Sequence, residues 1–133
     1  MDRSSFEQLV ANSLRRLPRR FKNKIKNISI EVEDRPSRAT LESMGIEHGT
    51  LLGLYQGVPL TERGWNYGNM LPDRIVIYQQ PIEQSASSPE EIEDIVLETV
   101  VHEVGHYFGF DDVELRSMEN EKARRKEGKR EGR

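Results

Sequence analysis

His102-Glu103-Val104-Gly105-His106-Tyr107-Phe108-Gly109-Phe110-Asp111-Asp112 is the stretch on which the reading of this chain turns. As a pattern it is H-E-x-x-H-x-x-G-x-x-D. Four residues of α-helix make about 40° more than a full turn, so His102 and His106 stack on one face. Two imidazoles stacked this way can grip one metal ion through neutral ring nitrogens. Glu103 is one residue on, about 100° round the helix. It stands beside the metal but off the line of ligands, where the base for a metal-activated water is needed. A catalytic zinc centre requires a third protein ligand and an open fourth position. Gly109 can take a left-handed conformation, end the helix and turn the chain back. Asp112 then reaches the metal from outside the helix. Asp111 competes for that role. Asp112 is preferred because H-x-x-G-x-x-ligand is the spacing of the longer motif whose third ligand is histidine; the other aspartate suits the N-cap of a following helix. The expected site is therefore one zinc ion per chain on His102, His106 and Asp112, with Glu103 as general base.

H-E-x-x-H by itself can arise by chance on any exposed helix. Here two of the three histidines of the chain fall inside the pattern, and the glycine and the acid stand where a ligand-delivering turn needs them. His48, in Gly45-Ile46-Glu47-His48-Gly49, lies in a turn-like stretch and reads as a surface residue.

Upstream of the motif, Ser88-Pro89-Glu90-Glu91 is a helix start: Ser88 as cap, Pro89 at the first helical position, Glu91 completing a capping box. The spacing predicts a helix over 89–108. On a helical wheel Ile92, Ile95, Val96 and Thr99 share a sector with His102, Glu103 and His106, while Leu97, Val101, Val104 and Phe108 form a second apolar stripe. A helix apolar on both sides is expected to be central, with a layer packed on each face. Gly105 inside it costs about 1 kcal/mol relative to Ala, which a close backbone contact would justify.

Working outward, Phe6, Leu9, Val10, Leu14 and Leu17 predict an amphipathic helix over 4–17, with Ser4 and Glu7 as a capping box and Pro18 as the stop. The basic run 19–26 reads as a solvated short helix or turn. Alternating Ile28, Ile30 and Val32 predict a half-buried strand over 27–33, of a kind suited to a sheet edge. Pro36 and Ser37 open a short helix that Gly45 closes. Residues 51–55 predict a second strand. The apolar run Ile75-Val76-Ile77 predicts a central one. Between them, residues 56–73 form a long loop holding Trp65 and Tyr67; such loops in compact domains are usually functional or disordered, and its aromatic residues speak against simple disorder. A last helix is expected over 112–125.

The chain has 133 residues, 35% hydrophobic and 32% charged, and a formal net charge of -3. That suits one domain with a modest core, taken as residues 1–120, followed by a charged extension over 121–133. The net charge argues against a whole-domain nucleic-acid footprint. From Glu119 on, seven basic residues face four acidic ones, so the tail reads as solvated rather than as an RNA or membrane patch. The absence of cysteine removes disulfides, thiolate zinc clusters and cysteine nucleophiles. No signal-peptide-like apolar segment opens the chain, and no run approaches the roughly 18 residues of a membrane span. A soluble cytoplasmic protein without a membrane partner is expected.

On these residues the chain resembles the zincin metallopeptidases, and most of all a small bacterial zincin-like family with a minimal fold and the motif H-E-x-x-H-x-x-G-x-x-D. The likeness runs to about residue 120 and includes the N-terminal helix, Leu52-Gly53-Leu54-Tyr55-Gln56-Gly57-Val58-Pro59-Leu60-Thr61-Glu62-Arg63 and Leu71-Pro72-Asp73-Arg74-Ile75. It implies an α+β domain, with a small mixed sheet of about three strands packed against a central metal-binding helix. It also implies zinc on His102, His106 and Asp112. Metzincins carry a methionine turn under the metal; Met118 falls in the expected last helix and is not read as that turn.

The function expected is zinc-assisted hydrolysis of a peptide or protein substrate. Residues 51–56 are the candidate strand edge for binding it, by analogy with zincins. Tyr55, Tyr67, Tyr107 and Arg63 are candidate oxyanion donors. The main rival is a non-enzymatic domain in which zinc binding supplies folding free energy. Two histidines and a carboxylate also describe a mononuclear iron centre, which would leave Glu103 without a role.

Overall fold

The computed structural model describes residues 1–23, 25, 28–57 and 73–109, with only the backbone for Arg20. Most of the loop 56–73, the expected helix over 112–125, the domain boundary near residue 120 and the tail 121–133 lie outside the described residues. The order of elements is α1 (Arg3–Arg15), α2 (Arg19–Lys22), β1 (Ile28–Glu33), α3 (Arg38–Ser43), β2 (Gly53–Gln56), β3 (Asp73–Tyr78), α4 (Gln79–Ser85) and α5 (Pro89–Tyr107). The chain is thus α+β, as expected.

The strands form one mixed sheet in the order β1-β3-β2. The apolar run takes the centre: Ile75, Val76 and Ile77 are fully buried. β1 pairs with it in parallel, Ile30 beside Ile75 and Val32 beside Ile77. β2 pairs antiparallel, Tyr55 beside Ile75 and Leu54 beside Val76. Alternation then splits the side chains into two faces. Ile75 and Ile77 point to the helices and join Phe6, Val10, Leu17, Ile82, Val96, Val100 and Val104 in the main core. Val76 and Tyr78 turn the other way and cluster with Leu54. On that face Arg74 is paired with Glu31 and Glu33 on β1 and donates to Gln56 Oε1 on β2 at 2.9 Å, so one guanidinium ties all three strands. These partners raise its pKa, the hydrogen bond to Glu31 most of all.

The helices differ from expectation in three respects. The cap of α1 is Asp2, not Ser4: its carboxylate accepts from the Ser5 backbone N–H at 2.7 Å. A full negative charge at the positive end of the helix is the stronger acceptor. Secondly, α4 follows β3 without a loop, Tyr78 serving as both last strand residue and N-cap. The sequence hides this helix because Pro81 stands inside a seven-residue stretch, yet near a helix start a proline loses no hydrogen bond. Ile82 then enters the main core. The third concerns α5, which begins as its signals say. Ser88 Oγ accepts from Glu91 N at 3.2 Å, and the Glu91 carboxylate accepts from Ser87 N at 3.1 Å, one residue before the position a strict capping box uses. Its buried stripe, however, is Val96, Thr99, Val100, Glu103, Val104 and Tyr107. In the second stripe Val104 is buried and Phe108 meets Phe21 at 5.2 Å between ring centroids, while Val101 is 36% exposed. Among the described residues α5 packs on α1, α4, β2 and β3, which cover one side of it.

Ile77 is fully buried between the two outer strands and beneath the helices, so Ile77→Ala is expected to cost about 2–5 kcal/mol in chemical denaturation. Asp2 tests the cap. Its folded-state pKa is lowered by hydrogen bonds to Ser5, first to the side chain and then to the backbone. A carboxylate depressed on folding adds stability above its ordinary pKa of about 3.9 and loses it as pH falls through the lower folded value. Asp2→Ala should therefore melt below the parent at neutral pH, and the gap should narrow on acidification.

Candidate metal centre

The site is built on the last two turns of α5. The helix holds to Tyr107, with Phe108 N donating to Val104 O at 3.1 Å and Gly109 N to His106 O at 2.9 Å. Gly109 then takes φ 91°, the left-handed conformation expected of it, and the chain leaves the helix axis. His102 and His106 stand side by side, ring centroids 4.6 Å apart with planes at 78°. Both are half-buried. One candidate ligand atom from each of His102, Glu103 and His106 lies within 4.8 Å of the others. Donors held about 2.1 Å from one ion are at most about 4.2 Å apart, so the two imidazoles lie near the separation that sharing a metal requires, with the Glu103 carboxylate beside them. Oxygen and imidazole nitrogen are the donors zinc accepts. His48 is exposed, as expected. Asp111 and Asp112 lie outside the described residues.

Glu103 occupies a different environment from its neighbours. Its side chain is 7% exposed against 29% for His106, and Oε1 lies 3.1 Å from His106 Nδ1. A buried carboxylate needs a partner of this kind. In the tautomer whose Nδ1–H donates to this carboxylate, Nε2 is the ring nitrogen that can bind a metal. The contact couples the carboxylate to its neighbour's ring.

What presses Glu103 into place is β2. A β-carbon at Gly53 would lie 2.7 Å from Thr99 Cγ2, 3.2 Å from Glu103 Cγ and 3.2 Å from the Val76 carbonyl oxygen. The strand is bare at this position, so α5 lies directly on its backbone. A glycine inside a predicted strand is a recognised sign of such an approach, and it is the clue in Leu51–Tyr55 that the pattern reading leaves unused. Thr99 is itself fixed, its hydroxyl donating to Ile95 O at 2.7 Å. Further along, Tyr107 is 2% exposed and meets Tyr55 edge-on at 6.0 Å, which gives both rings a packing role at the helix end. Tyr67 and Arg63 lie outside the described residues.

Between β2 and α5 an open groove of about 330 Å³ leads to the cluster. Thr50, Leu51, Leu52 and Gly53 form one wall; Ile95, Glu98, Thr99, His102 and Glu103 form the other. The wall is thus the start of the candidate segment 51–56, whereas the Leu54 side chain turns into the outer cluster and that of Tyr55 packs against the main core. Gly53→Ala is expected to cost about 1–3 kcal/mol through overpacking against Thr99 and Val76. Thr99→Ser, which removes Cγ2 and keeps the hydroxyl, should recover part of that loss in the double variant, as measured by denaturant titration.

Comparison with known proteins agrees with this geometry. A search of curated proteins finds no match. Among solved structures, the chain is similar to a conserved hypothetical protein from Thermus thermophilus, with 25% identity and a TM-score of 0.53 over 80% of this chain and 92% of the other. Residues 25–122 match the model of the zincin-like metallopeptidases, a span that takes in all three strands, α5 and its His-Glu-His cluster; the chain belongs to the zincin-like metallopeptidase family.

Proposed function

We propose that this protein is a zinc-dependent metallopeptidase in which His102, His106 and Asp112 hold the ion and Glu103 is the general base. One observation carries the reading: a nearly buried glutamate and two adjacent histidines converge at the end of a groove walled by an edge strand. Zinc, when bound, would polarise the scissile carbonyl and bring the pKa of a water from about 15.7 towards 7. The remaining work belongs to the chain. Glu103, set one residue from His102 and pressed against β2, accepts a proton from the attacking water and passes it to the departing amine. Its contact with His106 keeps that carboxylate from swinging away between the two transfers.

β2 supplies the means of holding an extended substrate. It is a terminal strand of the sheet, paired with β3 along one side. A peptide laid along its other side gains main-chain hydrogen bonds without regard to sequence, and side chains on alternate positions enter the groove. Asp112 as an anionic third ligand leaves the metal less electron-poor than a third histidine would, so modest turnover is expected. No described helix is long and apolar enough to cross a membrane.

Glu103→Gln is expected to lower peptide cleavage by at least about 10²-fold while metal analysis still finds zinc on the purified variant; full activity in that variant would refute the assignment. Chelation should abolish cleavage and lower the melting temperature together. A large drop in melting temperature, in a protein that cleaves no peptide when metal is restored, would favour a metal-stabilised binding domain instead.

A further inference from the structure

The groove has a chemical character that metal-assisted hydrolysis does not require. Its described walls are aliphatic at Leu51, Leu52 and Ile95 and carry a carboxylate at Glu98, with no lysine or arginine among the lining residues. Glu98 is exposed, and no described hydrogen bond or ion pair engages it. The helix on either side of it carries the same sign. From Pro89 to Val101 the helix bears Glu90, Glu91, Glu93, Asp94 and Glu98 and no basic residue. Glu91 is occupied by the Ser87 N–H, and the first turn faces the positive end of the helix. Among the described residues Glu98, halfway along α5, has neither form of compensation.

Position makes this carboxylate relevant to selection. Glu98 is one helical turn before His102, about 6 Å along the axis. An extended peptide advances about 3.3 Å per residue. A substrate whose scissile carbonyl lies at the cluster therefore brings a side chain from one or two residues away opposite Glu98. Lysine and arginine suit this place: their methylene stems cover aliphatic surface while the charged head stays at the rim. An acidic side chain would meet like charge, and a leucine would leave Glu98 without a partner.

We infer that Glu98 is a specificity-determining residue of the groove, selecting peptides with a lysine or arginine one or two residues from the bond at the metal cluster. The inference rests on the groove being the peptide site, and the experiment separates the two. Peptides identical except for Lys, Arg, Leu or Glu at the positions flanking the scissile bond are offered to the zinc-loaded parent, Glu98→Gln and Glu98→Lys. The same peptides are titrated by fluorescence anisotropy against Glu103→Gln and Glu103→Gln/Glu98→Gln. We expect the parent to favour Lys and Arg over Leu by about fivefold in kcat/KM, the gain of one partly exposed ion pair, and over Glu by more. Glu98→Gln should level the series, and Glu98→Lys should turn it towards Glu. The binding series should show the same order for Glu103→Gln and lose it in the double variant. If no peptide is cleaved but this binding order appears and depends on Glu98, the proteolytic reading fails and the selectivity stands. If peptides are cleaved or bound without a cationic preference, or with one that Glu98→Gln leaves unchanged, the inference is overturned. Absence of both cleavage and binding overturns it as well.

Discussion

The structure depends on one close approach, that of helix α5 to the bare backbone of β2 at Gly53. Thr99 and Glu103 take their positions from that contact. It brings Thr99 and Glu103 against the sheet, sets the depth of the groove and fixes which flank of the helix faces outward. Around the helix, Val96, Val100, Val104 and Tyr107 point into the core, and Ile95, Glu98, His102 and His106 follow on the adjoining flank. The half-turn between them is where an apolar anchor becomes the polar surface of the candidate site. Glu103 stands at the boundary, which explains how a carboxylate comes to be 7% exposed beside histidines that solvent can reach.

The remaining elements give that contact its rigidity. β3 is fully buried along Ile75-Val76-Ile77 and is held on both sides. On the far face Arg74 bridges to β1 and β2 and turns what would be a repulsive pair, Glu31 and Glu33, into a clamp. Burial pushes the pKa of Tyr78 up, with Glu33 adding to the effect, so its hydroxyl stays neutral beneath this network. Surface ion pairs of this kind add little stability singly; here their use is geometric, since among the described residues β1 and β2 pair with β3 and not with each other.

Much of this was legible in the residues themselves. Alternation at Ile28, Ile30 and Val32 and the unbroken run at 75–77 identify an edge and a centre because strand periodicity is strict. Ser88-Pro89-Glu90-Glu91 and Gly109 bracket α5 because caps are local chemistry. What escapes such reading is what depends on neighbours distant in sequence. α4 is too short and too proline-bearing to carry a periodic signal. The expected second face of α5 remains partly open at Val101, because hydrophobic periodicity tells which residues are apolar but not whether a layer arrives to cover them. The cap of α1 moves from Ser4 to Asp2 because two polar residues compete and only the local fold decides between them. Within the candidate site, the helix geometry brings His102, Glu103 and His106 together from spacing alone, whereas the groove exists only because residues 50–53, far from α5 along the chain, face the helix flank that carries Glu98.

The placement of the two histidines at the carboxyl end of a 19-residue helix has an electrostatic consequence of its own. Aligned peptide dipoles leave about half an electron's charge at that end. A dication held there sits in a field that favours it before any ligand charge is counted. The amino end, where Glu90 and Glu91 lie, is balanced separately by its own acids. The helix thus acts as a polarised rod whose attractive pole coincides with the donors it carries. Reversing the motif along the rod would keep the same side chains and set the ion against an opposing potential.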